Sequence, residues 1–88
     1  MNNPLTDQDT EVVIRILAEE LGVTKDQIIP EAHLFQDLGA DSLSIVEIVM
    51  KLEDQFSLSL PDENLEHVKT VAELYEALDE ALHQVGRV

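Results

Sequence analysis

The sequence predicts an all-α fold, a small four-helix bundle of three longer helices and one short one, with a long loop between the first two. Three observations predict it. Apolar residues recur at three- and four-residue intervals in three separate stretches, the spacing of one helix face. Capping and stop residues bracket those stretches. No stretch alternates apolar and polar residues as a half-buried strand would; the one β-branched run, Val12-Val13-Ile14, lies inside a helical period.

The first helix is expected from about Asp7 to Leu21. Val13, Ile16, Leu17 and Leu21 form its apolar stripe, Thr6 or Asp7 caps its start, and Gly22 supplies its stop. Residues 22 to 41 lack that period. Thr24-Lys25-Asp26-Gln27 reads as a capping box opening about one turn, which Pro30 then limits. A connection this long inside a small domain is unusual unless it has a task. It is expected to be ordered, pinned to the core by Ile28, Leu34, Phe35 and Leu38.

The second long helix is expected from Asp41-Ser42 to about Ser57, with Asp41 as N-cap and Ser42 at the first helical position. Its apolar residues form two stripes. Ile45, Ile48, Val49, Leu52 and Phe56 share one side and read as the core face. Leu43, Val46 and Met50 share a second, roughly opposite face, beside Glu47, Glu53 and Asp54. One small core cannot cover both sides of a helix, so the second stripe is expected to be exposed at least in part. Leu60-Pro61-Asp62-Glu63 opens a short helix, tied inward by Leu65 and Val68. Thr70-Val71-Ala72-Glu73 is another capping box, starting a last helix to about His83 whose buried stripe is Val71, Leu74, Leu78 and Leu82, with Tyr75 at its margin.

The chain has 88 residues and 9.9 kDa, so residues 1–88 are expected to form one domain, folded over about 7–84. Five Lys and Arg against nineteen Asp and Glu give a net charge of −14. Nucleic acid and anionic membrane surfaces are gripped by clustered positive charge, so neither is an expected partner; charged partners should be basic. The chain is expected to act as a monomer. With 44% apolar residues it is not a charge-extended disordered tail. Cysteine is absent, which in so small a domain points to a reducing interior, the cytoplasm. The first residues show no basic region followed by an apolar run, so no signal peptide is expected. The longest apolar stretch, Leu43 to Met50, is interrupted by Ser44 and Glu47 and is too short to span a bilayer.

Self-contained catalysis finds little support. His33, His67 and His83 lie far apart, none has a second His one turn away, and all three are expected to be solvated surface residues. An EF-hand starting at Asp7-Gln8-Asp9 fails, because its sixth position is Val12 and its closing position is Ala18. There is no Gly-rich phosphate loop. Ser42, in Gly39-Ala40-Asp41-Ser42-Leu43, is not a hydrolase elbow and has no local His as base. By capping rules alone it is simply an early-helix residue. It nevertheless begins a helix whose apolar stripe is ringed by carboxylates. A basic-rimmed partner docking there would find Ser42 as its substrate, a serine that needs no base of its own.

Asp37-Leu38-Gly39-Ala40-Asp41-Ser42-Leu43, followed by Val46-Glu47-Ile48-Val49-Met50 and Leu52-Glu53-Asp54-Gln55-Phe56, resembles the acyl carrier protein family, most of all the freestanding kind of dissociated fatty-acid and polyketide synthases. The likeness continues through Leu60-Pro61-Asp62-Glu63 and Thr70-Val71-Ala72-Glu73-Leu74, and back through Leu21-Gly22-Val23. The resemblance implies that Ser42, beside Asp41, receives a 4′-phosphopantetheine group from coenzyme A through a separate holo-acyl-carrier-protein synthase. Its thiol would then carry acyl chains as thioesters, supplying what a chain without Cys lacks. It further implies that Leu43, Val46, Glu47, Met50, Glu53 and Asp54, with Asp62, Glu63 and Glu66, meet the basic patches of acyltransferases, ketosynthases and related enzymes. A bound acyl chain would tuck between the helices, and a core of Leu, Ile and Val can part for it without breaking rigid ring packing. Ser44 and Ser59 stand where housekeeping members commonly carry acids, which leaves general fatty-acid synthesis and a dedicated pathway both open. Two other readings remain at this point: a carrier of an aminoacyl or D-alanyl group, and an acidic helical adaptor with no prosthetic group.

Overall fold

The computed structural model of the chain describes residues 6–60, 65 and 67–84. Three α-helices lie wholly within them: α1 (Asp7–Leu21), α2 (Ser42–Phe56) and α3 (Val71–Gln84), with one 3₁₀ turn, Lys25–Gln27, between α1 and α2. Of the expected short helix after Leu60, Leu65 is described and is helical, and it packs against the core with Val68 as expected; residues 61–64 and 66 lie outside the described residues.

Each boundary has a local cause. Thr6 and Asp9 form a reciprocal capping box at the start of α1: the Asp9 N–H donates to Thr6 Oγ1 (3.1 Å) and the Thr6 N–H to Asp9 Oδ2 (3.2 Å). Gly22 ends the helix at φ 67°, where an L side chain is strained, and its N–H returns to the Ala18 carbonyl. The helix α2 ends at Phe56, one residue short of the expected end, with Ser57 as its C-cap, also left-handed at φ 53°.

Val13, Ile16 and Leu17 of α1, Ile48, Leu52 and Phe56 of α2, and Val71, Leu74, Leu78 and Leu82 of α3 meet in one hydrophobic core, aliphatic but for Phe56. That is the predicted set, with four adjustments. Leu21, Ile45 and Val49 are only half-buried, Ile45 and Val49 because they wall an open recess. Phe35, expected as a core anchor, stands 44% exposed, whereas Ile28, Leu34 and Leu38 are buried.

The long loop owes its order to α3. The first N–H groups of a helix have no partner inside it. Here the loop supplies acceptors: Val71 N–H donates to the Ala32 carbonyl and Ala72 N–H to the Pro30 carbonyl, both at 3.0 Å. Leu34 N–H in turn donates to the Lys69 carbonyl (2.8 Å), and His33 and Thr70 form an antiparallel bridge. Thr70 and Glu73 complete the predicted capping box, Glu73 Oε1 accepting from the backbone of both Thr70 and Lys69. The loop thus enters α2 from a fixed direction. Among the described residues no helix is long and apolar enough to cross a membrane.

Candidate functional site

The site begins at Gly39, whose φ of 75° only glycine adopts without strain, and which turns the chain into Ala40 and Asp41. Asp41 is the N-cap of α2 and Ser42 its first residue, as the sequence predicts. Asp41 Oδ1 accepts from the Ser44 N–H (2.8 Å) and from the Ser44 hydroxyl (2.7 Å), while Asp41 N–H donates to Ser44 Oγ (3.0 Å). These bonds, the backbone N–H first, hold the Asp41 carboxyl below the usual carboxylate range. Ser44 therefore serves as a cap partner, a role that the usual Glu or Gln signature for a capping box does not flag.

Ser42 is exposed, and its hydroxyl bonds to none of the described residues. It sits at the positive end of the α2 dipole, where an anion is stabilised.

Running away from Ser42, Leu43, Val46 and Met50 are 67%, 52% and 62% exposed, so the second stripe faces outward as expected. Glu47 and Asp54 flank it and are exposed. Glu53 differs: it is half-buried, and its Oε2 accepts from the Leu60 N–H at 2.8 Å, tying the loop after α2 back to the helix. Asp62, Glu63 and Glu66 lie outside the described residues. On the other flank of Glu47, Lys51 Nζ stands 2.6 Å from Glu20 Oε2 and pins α2 to α1. That contact lowers the Glu20 carboxyl and raises the Lys51 ammonium.

Two of the recesses that adjoin α2 lie on the side of Ile45. One, of about 400 Å³, is walled by Ile45, Val46, Val49, Met50 and Leu65 with Glu53 at its edge. The other, of about 490 Å³, lies between the loop at His33–Gln36 and Leu65, Val68 and Lys69. Ile45 and Leu65 belong to both. His33 is not the solvated surface residue expected: it is half-buried, and its Nδ1 accepts from the N–H groups of Phe35 (3.2 Å) and Gln36 (3.1 Å). Spacing rules for metal ligands could not reveal that role, because the partners are backbone atoms of the same loop. His67 is exposed, as expected. Among the described residues no group of three or more His, Cys, Asp and Glu is placed to hold a metal.

The site is thus an exposed serine opening a helix flanked by carboxylates in a small helical bundle, and comparison with known proteins places it in a class. Residues 11–78 match the family described as "Phosphopantetheine attachment site". A curated acyl carrier protein of Syntrophobacter fumaroxidans is 47% identical over 66 residues, covering 75% of this chain and 82% of that protein. A solved structure described as an acyl carrier protein from Mycobacterium tuberculosis superposes with a TM-score of 0.71 at 28% identity, covering 77% of this chain and 90% of that one. The chain belongs to the acyl carrier protein family, whose prosthetic group is 4′-phosphopantetheine. Its members are carriers, not enzymes.

Proposed function

We propose that Ser42 is the residue to which the 4′-phosphopantetheine arm is joined, and that the chain ferries acyl groups among enzymes of fatty-acid or polyketide-type biosynthesis. The observation that carries this reading is the Ser42 hydroxyl: exposed, bonded to no described residue, and at the N-terminus of α2 inside the family match. The site fits the group. A phosphodiester anion at the start of α2 gains from the helix dipole, and Ser44 holds the neighbouring Asp41 carboxylate. When bound, the arm supplies the thiol that a chain without Cys lacks, and acyl groups ride on it as thioesters.

The outward stripe of Leu43, Val46 and Met50, with Glu47, Glu53 and Asp54, supports docking of partners that present a basic rim around an apolar centre. Holo-acyl-carrier-protein synthase, acyltransferases and ketosynthases with basic patches are the proposed partners, with Asp62, Glu63 and Glu66 extending the acidic surface. The chain would act as a single carrier domain, monomeric and cytoplasmic, a reading supported by its charge and its lack of Cys.

Incubation with coenzyme A and a holo-synthase tests the proposal. Intact mass should rise by one phosphopantetheine in the wild type and in Ser44→Ala, and stay unchanged in Ser42→Ala. A wild type that gains nothing, or a Ser42→Ala that still gains, overturns it.

A further inference from the structure

The edge of α2 nearest α1 is not uniformly acidic. Lys51 is the single basic residue of that helix, whose acids are Glu47, Glu53 and Asp54. Glu47, Lys51 and Asp54 stand four and then three residues apart, the spacing of neighbours along one helix face, and all three are exposed. The edge therefore reads acid, base, acid over about 10 Å of the helix axis.

A lysine on its flexible four-carbon stem ordinarily swings clear of whatever docks beside it. Lys51 is held. Its Nζ stands 2.6 Å from Glu20 Oε2 on α1, and Glu19 and Glu47 also attract the ammonium. The two partners differ in exposure: the Glu20 side chain is 13% exposed and the Lys51 side chain 51%. The carboxylate is thus the inner member of the pair and the ammonium the outer one. An ammonium has three donors, of which Glu20 Oε2 takes one. Glu20, Glu47, Met50 and Lys51 together wall a recess of about 330 Å³, so the held charge adjoins the apolar stripe at Met50. A partner descending on that stripe meets a positive charge that is fixed in place.

We propose that Lys51 is a specificity-determining residue of this face: the partners that the chain serves set an acidic side chain against Lys51, between the bases that meet Glu47 and Asp54. This rests on the reading of the α2 stripe as the docking surface, and it names the charge pattern of the partner. A rim made of bases alone brings like charges together at Lys51, which suppresses the wrong partner. A rim interrupted by one carboxylate matches all three positions. It still carries a net positive charge, as the surrounding acids require. Glu20 contributes by position: buried on α1, it keeps Lys51 from turning aside and letting a uniformly basic rim pass.

The test follows phosphopantetheine transfer to the full-length protein by a holo-synthase whose docking rim is wholly basic. At low salt Lys51→Gln should raise kcat/KM about two- to fivefold, chiefly through KM, the scale of one exposed charge. The gain should shrink as salt rises. Glu20→Gln breaks the same ion pair but leaves the edge more positive, and should lower kcat/KM. If the pair only staples α2 to α1, both variants lose stability and move the rate the same way, which would overturn the proposal. A second arm exchanges each basic rim residue of the synthase for Glu in turn. At one position the exchange should favour the wild-type carrier over Lys51→Glu by about fivefold. A scan in which every exchange harms both carriers alike would also overturn it. Glu47→Gln and Val46→Ser separate the two readings. If neither slows transfer, the α2 face is not the docking surface; if both do and Lys51→Gln changes nothing, the Lys51 assignment alone falls. A wild type that accepts no arm refutes the Ser42 reading instead, and titration of the same synthase onto the unloaded chain then carries both arms.

Discussion

Ser44 and Asp41 hold each other at both ends: one hydroxyl donates to the Asp41 carboxylate at 2.7 Å and accepts from the Asp41 N–H at 3.0 Å. The serine two residues earlier is left unbonded by the described residues. Ser44→Ala should lower the melting temperature modestly, since the Ser44 backbone N–H still reaches Asp41. Asp41→Ala, which removes the cap itself, should lower it more. The double variant should fall little below Asp41→Ala, because the two residues act as one unit. Additive losses would show that they do not.

Acid should weaken the helix starts. The carboxyls of Asp41 and Glu73 are held below the usual range, Asp41 by the Ser44 N–H and hydroxyl, Glu73 by the N–H groups of Lys69 and Thr70. A depressed folded-state value means that each contribution is full above the unfolded range, about pH 4, and is lost as pH falls through the folded value. Carboxyl-carbon NMR should show both groups titrating below their unfolded counterparts. In Ser44→Ala the Asp41 midpoint should move up and the Glu73 midpoint should not.

Core and stripe should respond in opposite ways. Leu17 is fully buried, and Leu17→Ala should cost about 2–5 kcal/mol in denaturant unfolding. Val46→Ser, on the exposed stripe, should stay within about 0.5 kcal/mol while reducing the rate of phosphopantetheine transfer.

Ser57 occupies a left-handed conformation that glycine adopts freely. Ser57→Gly should therefore stabilise the chain, by roughly 0.5–1 kcal/mol, since L side chains are penalised there. A destabilised Ser57→Gly would mean that the side chain contributes more than the strain costs.

Nineteen acids against five Lys and Arg repel one another most when salt is low. The melting temperature should rise with sodium chloride over the range in which the Debye length falls from about 30 to 10 Å. A flat response would show that the charges are already spread too widely to matter.

The helices were legible because period and caps coincide at each. Thr6, Gly22, Asp41 and the Thr70–Glu73 box all stand where chain chemistry alone puts them. Ser42 was legible as an early-helix residue, and its neighbours supplied the family. The loop was harder to read. Its order comes from carbonyls of Pro30 and Ala32 meeting the unpartnered N–H groups of α3, a match between segments far apart in sequence that no local pattern encodes. Phe35 misled for a related reason: an aromatic beside Leu34 reads as core, yet only Leu34 turns inward. Glu53 looked like one more surface acid because its tie to Leu60 spans seven residues and a turn.

The scarcity of aromatic side chains has an optical consequence. With no Trp, and Tyr75 as the single tyrosine, the chain is nearly dark in the near ultraviolet. Its concentration is better read from peptide absorbance or amino-acid analysis than at the usual aromatic wavelength. The same darkness is an advantage in mixtures: emission excited in the tryptophan band comes from the other component, so a Trp-bearing enzyme can be followed onto this surface without a label.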